Sequence, residues 1–273
     1  MWIKKQKVQA LSHNIREIID GKTIDIRENT EGEWAILKND IHTLASLKAE
    51  RAAALETERD NMRQTLANIS HQLKTPLTSM MLMADLLEDA PPAKQGEFIA
   101  NIKTGLNRME WLVAALLKMA KLEAGTVAFT KENIPAQTLV TQALAPLQPL
   151  IEGKKQRVDT LLDATFFADR PWTVEALSNI LKNAIEHTPE GGIIYVNTGH
   201  NPICSWVQVQ DSGSGIPKEK LPQLFKPFES SQNEKGHGIG LALAQAIMRG
   251  QGGDVQVDIG GNGRGATFAL KWY

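Results

Sequence analysis

The sequence predicts two folded parts, a helical N-terminal region followed by an α/β domain, with a boundary near residue 126. Before this boundary apolar residues recur at helical spacing, and the pair Pro91-Pro92 divides the pattern into two segments. Beyond Gly125, short runs typical of strands alternate with helical segments. A chain of 273 residues with 42% hydrophobic residues is long enough to bury two such cores.

Composition and charge exclude several classes of function. The chain has 30 Lys and Arg residues against 31 Asp and Glu residues, so its net charge is close to zero and attracts neither nucleic acid nor an anionic membrane surface. We therefore expect no nucleic-acid partner. The single cysteine, Cys204, lies in an apolar stretch and permits no disulfide framework within the chain, which is typical of cytosolic proteins.

The N-terminal residues favour an origin beside a membrane. No apolar run reaches the roughly 20 residues that span a bilayer, and we expect the chain as given to be soluble. It begins, however, with Trp2 followed by Lys4, Lys5 and Lys7, a pattern typical of a chain that leaves the inner face of a membrane. We therefore expect transmembrane segments to precede residue 1.

The helical region is predicted to contain a long helix and then a hairpin. Turn signals occur at Asp20-Gly21 and at residues 28–32, and the next helix is expected to continue towards Ala90. Its apolar seam suits a parallel coiled coil, although Lys48 interrupts it. The seam residues are Ile41, Leu55, Met62, Leu66, Ile69 and Leu73. A single helical hairpin has too little surface to bury its own row of apolar residues, so we expect two copies to form a dimeric four-helix bundle.

The α/β domain is predicted to contain strands at residues 127–130, 158–162, 193–198, 205–210, 254–259 and 267–272. Helices are expected at residues 136–151, 172–187 and 240–249. Asp169 stands shortly before Pro171, so we expect its side chain to cap the second of these helices.

One candidate for chemistry is the octapeptide SHQLKTPL, residues 70–77. His71 and Thr75 are four residues apart and share a helix face. Pro76 removes an amide donor and crowds the carbonyl of Gln72, which loosens the helix one turn from His71. An isolated helical histidine is more often an ordinary surface residue, so the octapeptide alone leaves that alternative open.

The other candidates form four segments of the α/β domain. In chain order these are residues 179–183, 211–215, 225–228 and 236–241. Gly236, Gly238 and Gly240 precede a helix, where backbone amides cradle phosphate, although a flexible loop is the alternative. Asp211 either ends a strand in a tight turn or accepts a hydrogen bond from an exocyclic amine. Asn183 is either an exposed amide or a hard-cation ligand beside phosphates.

Together, the order and spacing of these motifs resemble the sensor histidine kinases of two-component signalling, over roughly residues 55–273. The resemblance implies that His71 accepts a phosphoryl group from ATP and that Thr75 assists the reverse, phosphatase reaction. It assigns Mg²⁺ to Asn183 and the adenine amino group to Asp211. The other nucleotide-binding residues that it implies are Asn179, His187, Gly213, Gly215, Phe228, Lys235, Gly236, Gly238, Gly240 and Leu241.

The resemblance also implies an organisation and partners. Residues 1–54 would form a juxtamembrane relay similar to a HAMP domain, and residues 55–125 the dimerisation and histidine phosphotransfer hairpin. Residues 126–273 would form the catalytic ATP-binding domain, a Bergerat-type α/β sandwich. The expected protein is a homodimer that uses ATP and Mg²⁺ and passes its phosphoryl group to an aspartate of a response regulator. Its expected location is the cytoplasmic side of a bacterial inner-membrane receptor.

Three departures from the family pattern bear on the site. Gln72 stands where an acidic residue usually follows the phosphoacceptor, so the usual acidic helper is missing. Glu186 and His187 stand where lysine and tyrosine are common, which makes His187 a candidate to stack under the adenine. Lys226 and Lys235 are the nearby cations, and either one could contact a phosphate.

Two alternatives remain open at this point. A water-directed ATPase of the gyrase type places a glutamate one turn before the metal-binding asparagine to activate water. Asn179 occupies that position and cannot take a proton, which disfavours hydrolysis. A catalytically silent dimeric relay that binds nucleotide only as a structural ligand is the second alternative, because Gln72 is unusual.

Overall fold

Most of the chain can be described at the level of individual contacts. The computed structural model describes residues 2–19, 25, 33–228, 238–259 and 265–273. The turns predicted at Asp20-Gly21 and at residues 28–32 lie outside the described residues. The site candidates Lys235 and Gly236 also lie outside them.

The chain divides into two compact units, and the first, Met1–Ala67, is helical in its described residues. Helix α1 spans Trp2–Ile19, and α2 spans Glu33–Glu88, ending in the second unit. An unbroken helix of 56 residues confirms the long helix that the sequence predicts. Three of its seam residues are more than half exposed, namely Leu55, Met62 and Leu66. Within the described residues, no helix is apolar over a length that would cross a bilayer.

The predicted hairpin is present in the second unit, Asn68–Tyr273. Helix α3 spans Pro92–Glu123, and Pro92 takes its first position, where a helix has no partner for the amide that proline lacks. The two helices approach closely at Gly105, where an added Cβ would lie 2.6 Å from Met80 Cγ. The proline pair therefore ends one helix and starts the next, as predicted.

The α/β domain contains a five-stranded sheet and a separate two-stranded sheet. The seven strands are β1 (Lys131–Pro135), β2 (Arg157–Leu161), β3 (Thr165–Asp169), β4 (Ile193–His200), β5 (Ser205–Asp211), β6 (Gly253–Asp258) and β7 (Thr267–Trp272). The larger sheet has the order β2-β4-β5-β7-β6, and only its β2–β4 pair is parallel. Strands β1 and β3 form the smaller, antiparallel sheet.

In the described residues, four α-helices accompany these strands, and the buried core lies between the helices and the larger sheet. They are α4 (Ala136–Leu144), α5 (Gln148–Gly153), α6 (Arg170–His187) and α7 (Gly240–Gly250). Alternate residues of β5 and β7 face the core, so Val207, Val209, Phe268 and Leu270 are fully buried. Asp169 caps α6 as predicted, because its carboxylate accepts a hydrogen bond from Trp172 N at 3.2 Å.

The predicted strand at residues 127–130 is wrong, since the first strand begins at Lys131. The Thr130 amide donates to the Asp169 carboxylate at 2.7 Å and is therefore not part of the strand ladder. Strand β3 was not predicted. Its partner β1 lies more than thirty positions away in the chain, and only that pairing makes this short segment a strand.

The predicted helix at residues 136–151 is interrupted. Helix α4 ends at Leu144, a short 3-10 turn follows at Ala145–Leu147, and α5 begins at Gln148. Pro146 lies in that turn, and proline has no amide for the α-helical hydrogen bond. The remaining helices and strands of this domain agree with the prediction to within two residues at each end.

Candidate active site

His71 lies on an exposed face of α2. Its side chain is exposed, whereas Pro76 is buried and the half-buried Leu73 packs against the buried cluster to which α3 and the α/β domain both contribute. The Thr75 hydroxyl donates to the His71 carbonyl at 3.0 Å, so it lies one turn beyond the imidazole along the same helix. Because Pro76 has no amide, the carbonyl of Gln72 lacks its usual helical donor. The imidazole is therefore accessible on a helix whose opposite side is fixed.

Gln72, the neighbour of His71, contacts the second helix of the hairpin. Arg108 Nη2 on α3 lies 3.5 Å from Gln72 Oε1, at the long limit of a hydrogen bond. The amide oxygen that Gln72 could offer to the imidazole is thus directed at a guanidinium. Sequence reasoning missed Arg108, because the contact joins residues 36 positions apart and no local pattern reports it.

Asp211 ends β5 as a buried carboxylate that is 4% exposed. Its Oδ1 accepts hydrogen bonds from Gly213 N at 2.8 Å and from Ala266 N at 3.1 Å. Two backbone donors fix the orientation of the carboxylate, and among the described residues none donates to Oδ2. The second oxygen can therefore accept a hydrogen bond from an exocyclic amine of a ligand.

Two glycines allow the backbone to close around Asp211. A Cβ at Gly213 would lie 2.5 Å from the His187 carbonyl oxygen, and a Cβ at Gly265 would lie 1.9 Å from the Asp211 carbonyl oxygen. Neither position has room for a side chain. Gly213 was predicted, whereas Gly265 was missed. The glycine-rich run at residues 260–265 was the signal that could have identified it.

Helices α6 and α7 meet at Asn179 and Gly240. Asn179 Nδ2 donates to the Glu175 carbonyl at 2.9 Å, and its Oδ1 would lie 2.8 Å from a Cβ at Gly240. Among the described residues no side chain caps the start of α7, so its first amides can bind an anion at the positive end of the helix. Leu241 is buried and anchors this first turn. Asn183 is half-buried, and its side chain bonds to none of the described residues.

A backbone hydrogen bond joins Phe228 to the residues that precede α7. Phe228 N donates to the Gly238 carbonyl at 2.7 Å, and both residues have a positive φ of 66°. This conformation is strained for phenylalanine, and the half-buried ring packs against the core. Gly215, after β5, also has a positive φ, 77°, which glycine adopts without strain. Lys226 is exposed.

The last residues of α6 face different parts of the molecule. The His187 side chain is exposed, and its carbonyl faces Gly213. Glu186 lies 3.9 Å from the ammonium of Lys182. That ammonium is also 5.5 Å from the ring centroid of Trp111 on α3, so this side of α6 faces the hairpin. Of the two residues that depart from the family pattern here, His187 has its carbonyl beside Gly213, whose amide donates to the Asp211 carboxylate.

Two family models match the chain. The model described as "His Kinase A (phospho-acceptor) domain" matches residues 61–125, which include His71. The model described as "Histidine kinase-, DNA gyrase B-, and HSP90-like ATPase" matches residues 168–272, which include Asn183 and Asp211. Together they cover more than half of the chain. The chain belongs to the sensor histidine kinases. The part that contains Asp211 is accordingly an ATP-binding domain of the histidine kinase type.

Several curated proteins are similar to this histidine kinase. Sensor histidine kinase WalK of Bacillus subtilis is 28% identical over 79% of this chain and 38% of its own length. Sensor protein CreC of Escherichia coli is 28% identical over 93% of this chain and 53% of its own length. Sensor protein VanS of Enterococcus faecium is 26% identical, with 88% and 64% covered. The chain thus spans between 38% and 64% of the length of these three relatives.

Solved structures share the fold. The histidine kinase AdeS of Acinetobacter baumannii has a TM-score of 0.60 and 22% identity, over 74% of this histidine kinase and 96% of AdeS. Histidine kinase ThkA, solved in complex with response regulator protein TrrA, has a TM-score of 0.64 and 21% identity, with 82% and 65% covered. At these identities the likeness establishes the arrangement of helices and sheet only.

Proposed function

We propose that this histidine kinase uses ATP to phosphorylate His71 and then passes the phosphoryl group to an aspartate of a response regulator. The proposal rests on one observation. A single compact unit contains both an exposed His71 and the carboxylate of Asp211, which two backbone amides orient. Family membership supports the chemistry, and the complex of ThkA with TrrA supports a receiver protein as the partner.

In this proposal the nucleotide lies between α6, the end of β5 and the start of α7. Asp211 Oδ2 accepts a hydrogen bond from the adenine amino group, and Gly213 and Gly215 let the backbone approach the base. His187 lies next to Gly213 and stacks on the adenine. The uncapped first turn of α7, from Gly240, binds phosphate through its amides. Asn179 fixes this turn against α6.

The neighbouring glycines and cations complete the phosphate side. Gly236 and Gly238 are proposed to approach the phosphates with their backbone amides, with Phe228 holding Gly238 through its own amide. Lys235 is the proposed lysine contact, and Leu241 holds the first turn of α7 in the core. Residues 235 and 236 enter this proposal from the family resemblance alone.

The residues present fit a magnesium ion that is held together with the nucleotide. Among the described residues no three His, Cys, Asp or Glu side chains form a cluster that could bind a metal, so most ligands must come from phosphate and water. Asn183 offers an amide oxygen of the hard type that Mg²⁺ prefers, and no described residue engages it. When bound, the ion supplies charge neutralisation at the phosphates.

His71 acts as the nucleophile. A ring nitrogen attacks the γ-phosphorus, the bond to the β–γ bridging oxygen breaks, ADP leaves, and the imidazole loses its proton to solvent. In the second step a carboxylate of the receiver attacks the same phosphorus, and the histidine regains a proton. The Thr75 hydroxyl donates to a backbone carbonyl, so its oxygen remains able to accept from water and orient it for dephosphorylation of the receiver.

We also propose a domain organisation and a quaternary state. Residues 55–125 act as the phosphotransfer hairpin, residues 126–273 as the catalytic domain and residues 1–54 as the relay from a membrane receptor. Homodimerisation would cover apolar side chains that the single chain leaves exposed on the hairpin. These are Leu77, Met81, Leu82, Leu86, Ile99, Leu106, Val113 and Leu117.

Incubation with γ-labelled ATP tests the proposal. Label on the protein that is stable to base and lost in acid is expected, because an N–P bond to histidine behaves in this way. Free labelled phosphate without labelled protein would instead identify a water-directed ATPase. Bound nucleotide with neither product would identify a silent relay, and both results would overturn the proposal.

A further inference from the structure

Two side chains from the loop after α5 hold the C-terminal end of α6. Lys154 Nζ donates to three backbone carbonyls, at 2.8, 2.8 and 3.0 Å. The two N–H groups of Gln156 Nε2 are shared among three carbonyls at 3.1, 2.7 and 3.3 Å. We call Lys154 and Gln156, with the carbonyls that they bind, the α6 clamp. The clamped carbonyls belong to Ile185, Glu186, Thr188 and Pro189.

The end of α6 needs such donors because its chain geometry does not supply them. Many helices end at a left-handed glycine whose neighbouring amides bond the last carbonyls. Here Thr188 follows the helix with φ −76° and ψ 131°, and its amide bonds only the Ala184 carbonyl. The carbonyls of Ile185, Glu186 and Thr188 therefore depend on the clamp, whereas the Pro189 carbonyl also accepts from Gly192 N at 3.1 Å. The positive charge of Lys154 also suits the negative end of the helix dipole.

The acceptors fix the orientation of the Gln156 amide. The residue is 8% exposed, and its Oε1 has no partner among the described residues. Turning the amide over would direct Oε1 at three carbonyl oxygens, which is repulsive, so Nε2 is the atom that faces them. Gln156 therefore acts as a donor only, which makes replacement by glutamate a sharp perturbation.

The clamped end of α6 adjoins the carboxylate of Asp211. The carbonyl of His187, which lies between clamped residues, would be 2.5 Å from a Cβ at Gly213. Gly213 N in turn donates to Asp211 Oδ1 at 2.8 Å. A shift of the end of α6 therefore moves Gly213 and with it one of the two amides that orient the carboxylate.

We propose that Lys154 and Gln156 are positioning residues for adenine recognition. They hold the end of α6 against Gly213, and so hold Asp211 where it accepts a hydrogen bond from the adenine amino group. The inference rests on the proposed nucleotide site and adds to it two residues that do not touch the nucleotide. Because the clamp helps to orient, through Oδ1, the carboxylate whose Oδ2 accepts from the adenine amino group, its loss should reduce selectivity for adenine as well as affinity.

The test compares ADP with inosine diphosphate, which carries an oxygen in place of the adenine amino group. Dissociation constants for both are measured by calorimetry or competition with the full chain, and unfolding temperatures are measured without nucleotide. The variants are Lys154→Met and Gln156→Glu. Lys155→Met is the matched control, because Lys155 is an adjacent lysine whose exposed side chain binds Glu190 and no carbonyl of the clamped end among the described residues. Lys154→Gln, which keeps two donors, is the second variant should the first not fold.

In Lys154→Met and Gln156→Glu we expect ADP binding to weaken about tenfold and inosine diphosphate binding to weaken less, so the ratio of the two constants falls. Lys155→Met should keep the wild-type ratio. A lower unfolding temperature with an unchanged ratio in a folded clamp variant, Lys154→Gln included, would show a structural role only and overturn the inference. Wild-type chain that binds neither nucleotide would instead contradict the proposed function, and the clamp proposal with it.

Discussion

Apolar side chains are exposed in a row along the phosphoacceptor hairpin, formed by residues 68–88 of α2 and by α3. The ATP-binding domain buries most of its own apolar side chains, although Phe167 and Ile203 are exposed. Met81 and Leu117 are 61% and 60% exposed, whereas Ile180 and Phe268 are fully buried. The domain completes its own core with helices on a sheet. The hairpin leaves a row of apolar side chains exposed, which supports the proposed homodimer.

Helix α3 shows both behaviours. Leu112, Ala115 and Met119 are buried in one cluster with the core of the ATP-binding domain. Lys118 adds a 2.9 Å ion pair to Glu175 of α6, although both side chains are partly exposed and the pair contributes little to stability. One side of α3 thus packs against the ATP-binding domain, while the other carries exposed apolar side chains that the proposed dimer would cover.

The sharpest difference between the two regions should appear on replacing His71 with alanine. We expect stable labelling by γ-labelled ATP to be abolished and ATP affinity to be unchanged, because His71 is exposed and belongs to a different element from the nucleotide site. Autoradiography and calorimetry on the same preparation measure the two quantities. Loss of nucleotide affinity together with the label would contradict the separation.

Two substitutions by alanine, one in each region, test whether the ATP-binding domain has a complete core while the hairpin has an uncovered apolar face. Phe268→Ala should lower the free energy of unfolding by about 3–5 kcal/mol, because it opens a cavity in a filled core. Leu82→Ala, at a side chain that is 53% exposed, should leave the ATP-binding domain as stable as before and weaken the dimer. Chemical unfolding and sedimentation measure the two effects. An unchanged dimer dissociation constant in Leu82→Ala would count against a dimer face at this stripe.

A change at Asn183 should affect the ATP-binding domain alone. Its amide oxygen bonds none of the described residues, so Asn183→Ala should leave the fold intact and weaken Mg²⁺-dependent ATP binding by about tenfold or more. Nucleotide titrations with and without Mg²⁺ provide the measurement. If the variant binds Mg²⁺-ATP as wild type does, the metal lies elsewhere.

The smallest expected effect concerns Gln72 in the hairpin. Gln72→Glu should raise the autophosphorylation rate several-fold with ATP affinity unchanged, because a carboxylate stabilises the charge that the imidazole gains, and Gln72→Ala should lower it. Arg108 would partly neutralise this carboxylate, so the gain should be larger when Arg108→Gln is also present. Single-turnover rates of autophosphorylation provide the measurement. Equal rates for Glu, Gln and Ala at position 72 would show that this residue does not activate His71.

Features that depend on neighbours in the chain were predictable. The spacing of His71 and Thr75, the proline pair that begins α3 and the glycine that begins α7 all act within a few residues. Gly265, Arg108 and the α6 clamp were missed for the opposite reason. Each acts through a contact with a segment distant in the sequence, and neither periodicity nor propensity reports such a contact.

By itself, the sequence determined the helical hairpin and the α/β character of the second domain, and it supplied the motifs from which the nucleotide site is proposed. Periodicity, proline and glycine restrict the backbone locally, so these features do not depend on what packs against them. Only the tertiary structure decided that β1 pairs with β3, that the Thr130 amide bonds Asp169 and that Lys154 bonds the end of α6. Backbone donors and acceptors must find partners wherever the chain brings them, and those partners are fixed only when the whole domain has folded.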